Sequence, residues 1–553
     1  MHRLKLVNDA CHWYMSELGA RVVAESGRAE DRHHLGKLML MSLRDNPHLV
    51  LQIDGGTGQS ETSGSVLERS VRCAGAFRKL GLRLGDVVVL MAPNHLDLAI
   101  PFYAGLYTGV AIASIDRLLQ IKELEDIFIK DEPKIVFCQS ARAKDVRTAL
   151  DNCNLKGKIV TFDKSSQDVN DSVRFEEFMK DYDSETTVET FKASDFDTEE
   201  TAAVLLSTSG STGLPKQATV THKNFAIGCV YFWSKERQFP TPFKLFLVVS
   251  PLQWLTANSI FIISAIFKMP RLQSSVDIDY EHACYLINTY KPTSTILSPT
   301  FLANLLKYGA KKCDFTCFQL IAIAGSAVSK ELLAEIKSLC PKSEVRDLYG
   351  MTEISSGAFF NDCQVQGSSG RPSPHLQYRL IDVDTNEDIV EANVKGELWL
   401  KGPSVSKGYY KDPEVTKQAF TEDGWFKTGD IFYRDEHWNF FFVARIKFLL
   451  KYMNHQISPA EIENMIKKHP GVQDAVVIGI PDPDCGDLPV ACVVRRFSST
   501  VTAQEIKDLV KNNLTDTKQL RGGVVFMDKI PLTSTTKVDV KKLKELVATM
   551  ELE

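Results

Sequence analysis

A run of small polar residues near the middle of the chain could surround a polyphosphate. It follows the apolar, strand-like segment Ala202–Leu206 and ends at a lysine. Its members are Ser207, Thr208, Ser209, Gly210, Ser211, Thr212, Gly213 and Lys216. Glycines and hydroxyl residues leave backbone N–H groups available to phosphate oxygens, and the lysine supplies positive charge. On composition alone, a solvated Ser/Thr/Gly linker is the alternative.

The order of these residues argues against a Walker A phosphate loop. That loop needs Gly-Lys-Ser/Thr in succession, whereas Pro215 precedes Lys216 here and Gln217 follows it. A P-loop NTPase is therefore disfavoured.

Five further segments, whose roles depend on a family resemblance, follow this run along the chain. They are Ala324-Gly325-Ser326, Tyr349-Gly350-Met351-Thr352-Glu353, Asp423–Asp430, Val443–Lys447 and Pro531–Lys537. A carboxylate such as that of Asp430 can accept hydrogen bonds from both hydroxyls of a ribose. Taken alone, Tyr349–Glu353 is a turn followed by a helix, and Lys537 is a solvated charge in a lysine-rich tail. Tyr349–Glu353 and Lys537 indicate a function only because they occur together with the other segments and in this order.

In this order, the segments resemble the adenylate-forming superfamily, and the insect luciferase-like branch has the most similar pattern. The superfamily includes acyl-CoA synthetases, plant coumarate-CoA ligases, insect luciferases and peptide-synthetase adenylation domains. The resemblance implies that Tyr349 stacks on adenine, that Thr352 touches phosphate and that Glu353 holds Mg²⁺. Gly350 belongs to the same motif, while Gly325 and Ser326 would let adenine lie flat against the backbone.

The resemblance also assigns residues in the last quarter of the chain. Asp430 and Arg445 would contact ribose, and Lys447 would lie at a hinge. Lys537 would be the catalytic lysine of adenylation, whereas Lys451 would lie on the opposite, thioester-forming face of a rotating C-terminal domain. Two segments, Gly396–Pro403 and Gly408-Tyr409-Tyr410, are interpreted as packing rather than chemistry.

The implied reaction joins a carboxylic acid to AMP and then to coenzyme A, so ATP, Mg²⁺ and CoA are the expected partners. Attack of a carboxylate on the α-phosphate needs charge neutralisation and positioning more than covalent help from the protein. A luciferase-like oxygenase is a second enzymatic hypothesis, although Gly228 stands where light-emitting relatives tend to have an arginine. A pseudoenzyme that binds nucleotide or acyl ligand is a third.

Several residues depart from the family pattern. Gln217 replaces a common glycine, and Asn454 stands where the pantetheine tunnel usually has a glycine. The final loop lacks its usual glycines at Thr533–Thr536. In the acyl pocket, Trp254 and Leu255 add bulk, which favours a short or differently directed acid; core packing is the alternative role of Trp254.

The elements that must position these residues alternate between strand and helix. The polar, glycine-rich segment Gln52–Gly64 is predicted to be a loop, and helical spacing over Ser65–Leu80 follows it. The apolar strands Asp86–Met91 and Ile135–Cys138 come next, and the alternation continues to about residue 370. It predicts an α/β fold with helix-covered parallel sheets. Short alternating strands then predict a β-rich subdomain at about 370–444, within a large N-terminal domain of residues 1–444. Residues 445–553 are predicted to form a small, mobile α+β domain.

Composition describes an ordinary globular protein. Hydrophobic residues make up 44% of the 553 residues. The net charge of −5 gives no reason to expect nucleic-acid binding. The 12 cysteines contain no CxxC pair, which favours reduced thiols. No segment reads as a signal peptide or membrane span, and the C-terminus differs from Ser-Lys-Leu. A cytoplasmic location is expected, with a peroxisomal one suggested by family resemblance only.

Overall fold

The chain divides into two compact units in the computed structural model. The first contains Met1–Gln366, Gly370–Gln377 and Leu400–Phe426, and the second contains Gly367–Ser369, Tyr378–Trp399 and Lys427–Glu553. The structure describes residues 10–163, 172–182, 186–208, 216–232, 244–361, 365–452, 455–482, 485–533 and 537–553. The predicted boundary at residues 444 and 445 and the hinge near Lys447 remain predictions.

A seven-stranded sheet forms one layer of the first unit. Its strands, in spatial order, are Ser172–Arg174, Lys158–Thr161, Ile135–Cys138, Val87–Met91, Ala111–Ser114, Ala202–Thr208 and Lys216–Thr221. All neighbours are parallel except the last pair. Val88 and Leu90 belong to one core cluster, whereas Val87, Val89 and Met91 belong to another. Because both faces are buried, the central strands are continuous apolar runs.

A nine-stranded sheet forms the second layer. Its strands, in spatial order, are Arg371–Pro372, Ser356–Phe360, Glu344–Met351, Leu320–Ala324, Ser294–Leu297, Phe246–Leu247, Arg271–Gln273, Val50–Asp54 and Ser60–Thr62. The strands are parallel in the centre and antiparallel at both edges. The predicted helix-covered α/β fold is confirmed, and the antiparallel edges are additions to it.

One local prediction was wrong. The polar segment Gln52–Gly64 was expected to be a loop, but it contains the ends of a hairpin and the start of a helix. The Asp54 carboxylate accepts hydrogen bonds from the Gly56 N–H at 2.9 Å and from the Thr57 hydroxyl at 3.1 Å. An aspartate that caps its own turn in this way favours a hairpin despite the polar composition.

Helices cover the two sheets of the first unit. They are Ala10–Ser26, Leu35–Asp45, Ser63–Lys79, Ala99–Thr108, Ile121–Asp131, Ser140–Asn152, Phe175–Asp181, His222–Phe232, Leu255–Ile266, Tyr280–Tyr290, Pro299–Gly309, Lys330–Leu339 and Pro413–Ala419. Several of them share one core cluster with residues from both sheets. Along the described ranges, every helix is too short or too polar to span a bilayer.

The second unit contains two smaller sheets. The four-stranded sheet, predicted as the β-rich subdomain and lying mainly in this unit, has the order Gln377–Ile381, Gly396–Lys401, Phe426–Arg434 and Phe440–Arg445. The other has the order His455–Ile457, Leu450–Tyr452, Gly486–Arg495 and Val472–Asp482, and Gly523–Phe526 pairs with Gly486–Arg495. Pro459–Ile466, Ala503–Asn513 and Val540–Val547 are its α-helices. This is the predicted α+β architecture.

Two buried histidines in the first unit are held neutral. His34 caps the helix Leu35–Asp45, because its Nδ1 accepts from the Lys37 N–H at 3.2 Å while Nε2 contacts the Ser194 carbonyl at 2.9 Å. His222 lies 5.3 Å from His34 between ring centroids, and neither of its ring nitrogens has a hydrogen-bond partner in the described ranges. Burial lowers the pKa of His34 to about 4 and the pKa of His222 well below its ordinary value.

This burial predicts acid sensitivity. Below a pH of about 6.5 the unfolded chain takes up protons on both histidines while the folded chain does not. Each therefore lowers the free energy of unfolding by about 1.4 kcal/mol per pH unit until its folded pKa is reached. Between pH 7 and pH 5 the free energy of unfolding should therefore fall by about 2 kcal/mol less in His222→Phe than in wild type. Thermal midpoints of wild type and variant between pH 7 and pH 5 would measure it.

The exposed His48 provides the control, since His48→Phe removes a histidine that is not buried. Parallel pH profiles for wild type, His48→Phe and His222→Phe would contradict the prediction.

Candidate functional site

The two ends of the predicted phosphate loop are held one strand spacing apart. Residues 209–215 lie outside the described residues, but Thr208 and Lys216 on either side of them form a cross-strand pair. The Thr208 hydroxyl donates to the Lys216 carbonyl at 3.3 Å, and Ser207 pairs with Gln217. This antiparallel pair places Lys216 at the carboxyl end of the strand Ala202–Thr208.

The other edge of the Lys216–Thr221 strand is paired with residues 407–410. The Tyr410 N–H donates to the Gln217 carbonyl at 2.8 Å, and the Thr219 N–H donates to the Gly408 carbonyl at 2.9 Å. Tyr409 forms a β-bridge with Ala218. The segment predicted only to pack therefore lies directly against the lysine-bearing strand.

Tyr409 brings the phosphate lysine and the predicted magnesium carboxylate together. Its hydroxyl donates to Glu353 Oε1 at 2.8 Å, and Lys216 Nζ lies 5.6 Å from the centroid of its ring. Glu353 is buried, and its carbonyl accepts from the Ser406 N–H at 2.7 Å. Sequence reasoning missed Tyr409, because Tyr409 and Glu353 are far apart in the chain and meet only through the fold.

The predicted adenine residues follow neighbouring parallel strands. Ala324 and Leu348 pair in register, so Gly325 and Ser326 leave their strand beside Tyr349 and Gly350. Gly325 has φ +107°, and a Cβ added there would meet nothing within 4 Å. This open surface at the end of the strand suits a flat ring.

The residues after Tyr349 turn sharply. Tyr349 is half-buried, with its ring 5.4 Å from that of Phe359. Thr352 begins the 3₁₀ turn Thr352–Ile354, which ends at Ser355 with φ +62°. Thr352 and Glu353 therefore stand at the carboxyl end of Glu344–Met351, where ligands bind in open α/β sheets.

Glu353 fits a magnesium ion bound together with a nucleotide. No group of three or more His, Cys, Asp or Glu residues that could hold a metal occurs among the described residues. Mg²⁺ in phosphate-transfer sites is held by one or two carboxylates, substrate phosphates and water, so a single carboxylate is sufficient. Glu353 would hold the ion, and Lys216 would lie on the phosphate side.

The side chain of Gln217 is hydrogen-bonded to a buried carboxyl group. Its Nε2 donates to Asp131 Oδ2 at 3.0 Å, on the helix Ile121–Asp131. Asp131 is 2% exposed, and burial raises the pKa of its carboxyl to about 7. The side chain that replaces the common glycine thus points into the protein, toward the helix Ile121–Asp131.

The predicted acyl-pocket residues begin the helix Leu255–Ile266. Trp254 is half-buried and precedes the helix as its N-cap, and Leu255 packs at the edge of the main core. Within the described ranges, the indole N–H of Trp254 has no hydrogen-bond partner. Gly228 is buried, and a Cβ there would lie 3.0 Å from the Ser355 carbonyl oxygen and 3.0 Å from the Ser356 Cβ. An arginine at Gly228 would need these neighbours to shift.

The second unit holds the predicted ribose residues as one ion pair. Arg445 donates to both carboxylate oxygens of Asp430, at 2.5 and 2.8 Å, across neighbouring strands. Asp430 is 1% exposed. A carboxylate oxygen has two lone pairs, which is the property that the predicted ribose contact would use.

Lys537 is an exposed residue of the second unit. Its carbonyl accepts from the Thr533 N–H at 2.7 Å, and Leu532 bridges Val538. Ser534–Thr536 and Asn454 lie outside the described residues. Lys451 pairs with Gln456 in a short hairpin, and Lys447 lies in the 3₁₀ turn Ile446–Phe448.

A cavity of about 570 Å³ in the first unit is separate from these residues. It is lined by Asp54, Glu61, Arg69, Asp97 and Asp163, among others. The carboxylates are already paired with Arg69 or with backbone and hydroxyl donors. Its excess of negative charge opposes binding of ATP.

Comparison with known proteins identifies the family. The model described as AMP-binding enzyme matches residues 42–410, and that described as AMP-binding enzyme C-terminal domain matches residues 461–537. A luciferin 4-monooxygenase from Nipponoluciola cruciata is 33% identical over 508 residues, which is 89% of this chain and 90% of the relative. The 4-coumarate–CoA ligase-like 3 protein from Arabidopsis thaliana is 28% identical over 519 residues, 89% of each chain.

A solved structure supports the same fold. ATP-bound MatB from Rhodopseudomonas palustris superposes with a TM-score of 0.81 at 23% identity, over 92% of this chain and 99% of that one.

The geometry predicts that Lys216 is needed for ATP chemistry. We expect Lys216→Ala to lower acid-dependent ATP–pyrophosphate exchange on the order of 10²–10³-fold, because a phosphate charge loses its fixed partner. The matched control is Lys223→Ala, in the helix that follows the same strand, where the lysine pairs with Glu199 instead. Equal exchange rates in wild type and Lys216→Ala would remove Lys216 from the site.

Proposed function

Because the chain belongs to the AMP-binding enzyme family, we propose that it is an ATP-dependent carboxylic acid:CoA ligase. The observation that carries the proposal is the cluster of Lys216, Tyr409 and Glu353 beside the ends of the phosphate loop. A cation and a metal-binding carboxylate at the carboxyl ends of parallel strands are what a triphosphate requires.

In the first half-reaction, a carboxylate oxygen attacks the α-phosphorus of ATP. The bond to the bridging oxygen of the β-phosphate breaks, and pyrophosphate leaves. Lys216 neutralises phosphate charge, Thr352 touches phosphate and Lys537 bridges the acid and the α-phosphate. Mg²⁺, when held by Glu353, screens the charge of the phosphate oxygens. Tyr349, Gly325 and Ser326 bind adenine, while Asp430 and Arg445 bind ribose.

In the second half-reaction, the thiol sulfur of coenzyme A attacks the acyl carbon. The carbon–oxygen bond to AMP breaks, a thioester forms, and the thiol proton passes to solvent. Lys451 and the Asn454 position are assigned to this step by family resemblance. The relatives named as CoA ligases support it.

A luciferase-like oxygenase is the second candidate, because several relatives are named luciferin 4-monooxygenases, at up to 33% identity. It shares the adenylation step and would differ only in oxidising the adenylate with O₂. The close approach at Gly228 opposes it, since it gives an arginine no room without a shift of Ser355 and Ser356.

The deciding experiment is ATP–pyrophosphate exchange with a panel of aliphatic and aromatic acids, followed by mass spectrometry of CoA products. Exchange plus a CoA thioester supports the ligase. Exchange with luciferin, accompanied by light and without a thioester, supports the oxygenase. ATP binding without exchange for any acid would indicate a binding protein instead.

Lys537 should separate the two half-reactions. We expect Lys537→Ala to reduce exchange on the order of 10²–10³-fold, yet to keep thioester formation from supplied acyl-adenylate, since that step no longer involves the α-phosphate of ATP. The rates of the isolated steps must be measured, because overall kcat can report domain motion or product release.

The control is Lys541→Ala, an exposed lysine four residues further along the same lysine-rich segment. If Lys537→Ala lost both half-reactions equally, the assignment of Lys537 to adenylation would be wrong.

Trp254 should limit the size of the acid. We expect Trp254→Gly to extend exchange activity to longer or wider acids, because it frees about the volume of an indole at the start of the helix Leu255–Ile266. The profile of exchange rate against acid size measures this. The exposed Trp438, replaced by glycine, serves as the control. An unchanged profile for Trp254→Gly would show that Trp254 is core and no part of the pocket.

A further inference from the structure

Tyr409 contacts two groups that serve the phosphates, through two different parts of its side chain. Its hydroxyl binds Glu353, and its ring lies near the Lys216 ammonium. We propose that Tyr409 is a positioning residue that fixes both the magnesium carboxylate and the phosphate lysine for adenylation. The inference rests on the proposed function, because it needs ATP and Mg²⁺ to bind between these groups.

The hydrogen bond orients the Glu353 carboxylate. A glutamate has three rotatable side-chain bonds, so a metal must otherwise select one arrangement from many. The 2.8 Å bond from Tyr409 to Oε1 restricts the rotation of the carboxylate that would hold the ion. Such partners of metal-binding carboxylates typically account for a 10–100-fold change in metal affinity or activity.

The ring restrains Lys216. At 5.6 Å from the centroid, the ammonium lies within the range of a cation–π interaction. A lysine side chain is long and flexible, so this contact limits the positions that the charge occupies before ATP arrives. The two effects use different atoms of Tyr409 and can therefore be removed separately.

The backbone of Tyr409 is itself fixed. Its N–H donates to the Thr416 hydroxyl at 2.9 Å, and its neighbours pair with the Lys216–Thr221 strand. Ion pairs anchor both sides of the segment, with Lys407–Glu200 at 2.7 Å and Lys411–Glu132 at 2.9 Å. The tyrosine thus has a rigid base from which to hold two flexible side chains.

A tyrosine that only filled space would tolerate phenylalanine, so Tyr409→Phe tests the hydroxyl alone. We expect the Mg²⁺ concentration for half-maximal exchange to rise about tenfold, because the Glu353 carboxylate loses the hydroxyl that orients it. Tyr409→Leu also removes the ring, and it should weaken ATP binding in a way that added Mg²⁺ does not restore.

A binding measurement accompanies the activity. Mn²⁺ replaces Mg²⁺ and is followed by electron paramagnetic resonance in the presence of ATP, so that the affinity of the ion is read without turnover. We expect Tyr409→Phe to weaken Mn²⁺ binding about tenfold. The matched control is Tyr410→Phe, the same change at the next residue. The ring of Tyr410 instead packs against the core cluster that contains Val87, Val89 and Met91.

A double variant separates positioning from general damage. If the hydroxyl acts through Glu353, Tyr409→Phe should add no further loss of Mn²⁺ affinity in a Glu353→Gln background. An equal loss in both backgrounds would overturn the inference, as would wild-type Mg²⁺ and Mn²⁺ dependence in Tyr409→Phe. Either result leaves the proposed function intact if wild type exchanges pyrophosphate. Failure of wild type to exchange with any acid would count against the proposed function itself.

Discussion

The strand Lys216–Thr221 is hydrogen-bonded along both edges, and the proposed phosphate site of the first unit depends on that constraint. One edge pairs with Ala202–Thr208, which fixes the two ends of the glycine-rich loop. The other pairs with residues 407–410, which brings Tyr409 over the lysine. A strand with two partners cannot shift its register by one residue without turning every side chain to the opposite face. Lys216 therefore stays on the side of Glu353, and Gln217 stays on the side of Asp131.

The Gln217–Asp131 contact shows how the fold accommodates a side chain where the family commonly has a glycine. A glycine is common after the phosphate lysine, and a larger residue there could have blocked the nucleotide. Because neighbouring residues of a strand point to opposite faces, the amide instead reaches a carboxyl at the end of the helix Ile121–Asp131. Burial raises the pKa of Asp131 to about 7, and the amide hydrogen bond works against this rise. The amide of Gln217 thus makes a buried contact and points to the face of the strand opposite to Lys216.

Much of this architecture could be predicted from the sequence, since the buried strands are continuous apolar runs and the helices have clear periodicity. The helix expected over Ser65–Leu80 spans Ser63–Lys79, and the strand expected over Ile135–Cys138 has those bounds. Polar hairpins are different, because their strands are not apolar, and Val50–Asp54 with Ser60–Thr62 was missed for that reason. The Tyr409–Glu353 hydrogen bond was missed because nothing local to either residue signals a contact that only the sheet packing creates.

The adenylation machinery is common to ligases and luciferases, so the residues that would hold phosphate cannot distinguish the two classes of enzyme. The residues that would hold the acid have to distinguish them. Two residues of this chain, Gly228 and Trp254, bear on that distinction. The helix His222–Phe232 packs onto the strand Ser356–Phe360, and Gly228 lies so close to Ser355 and Ser356 that a larger side chain there needs these neighbours to shift. Trp254 adds bulk at the start of another helix and brings an indole N–H that has no partner among the described residues. Under the proposed assignment of Trp254 to the acyl pocket, its indole N–H favours an acid with a hydrogen-bond acceptor, because an unpaired buried donor is costly until a ligand satisfies it.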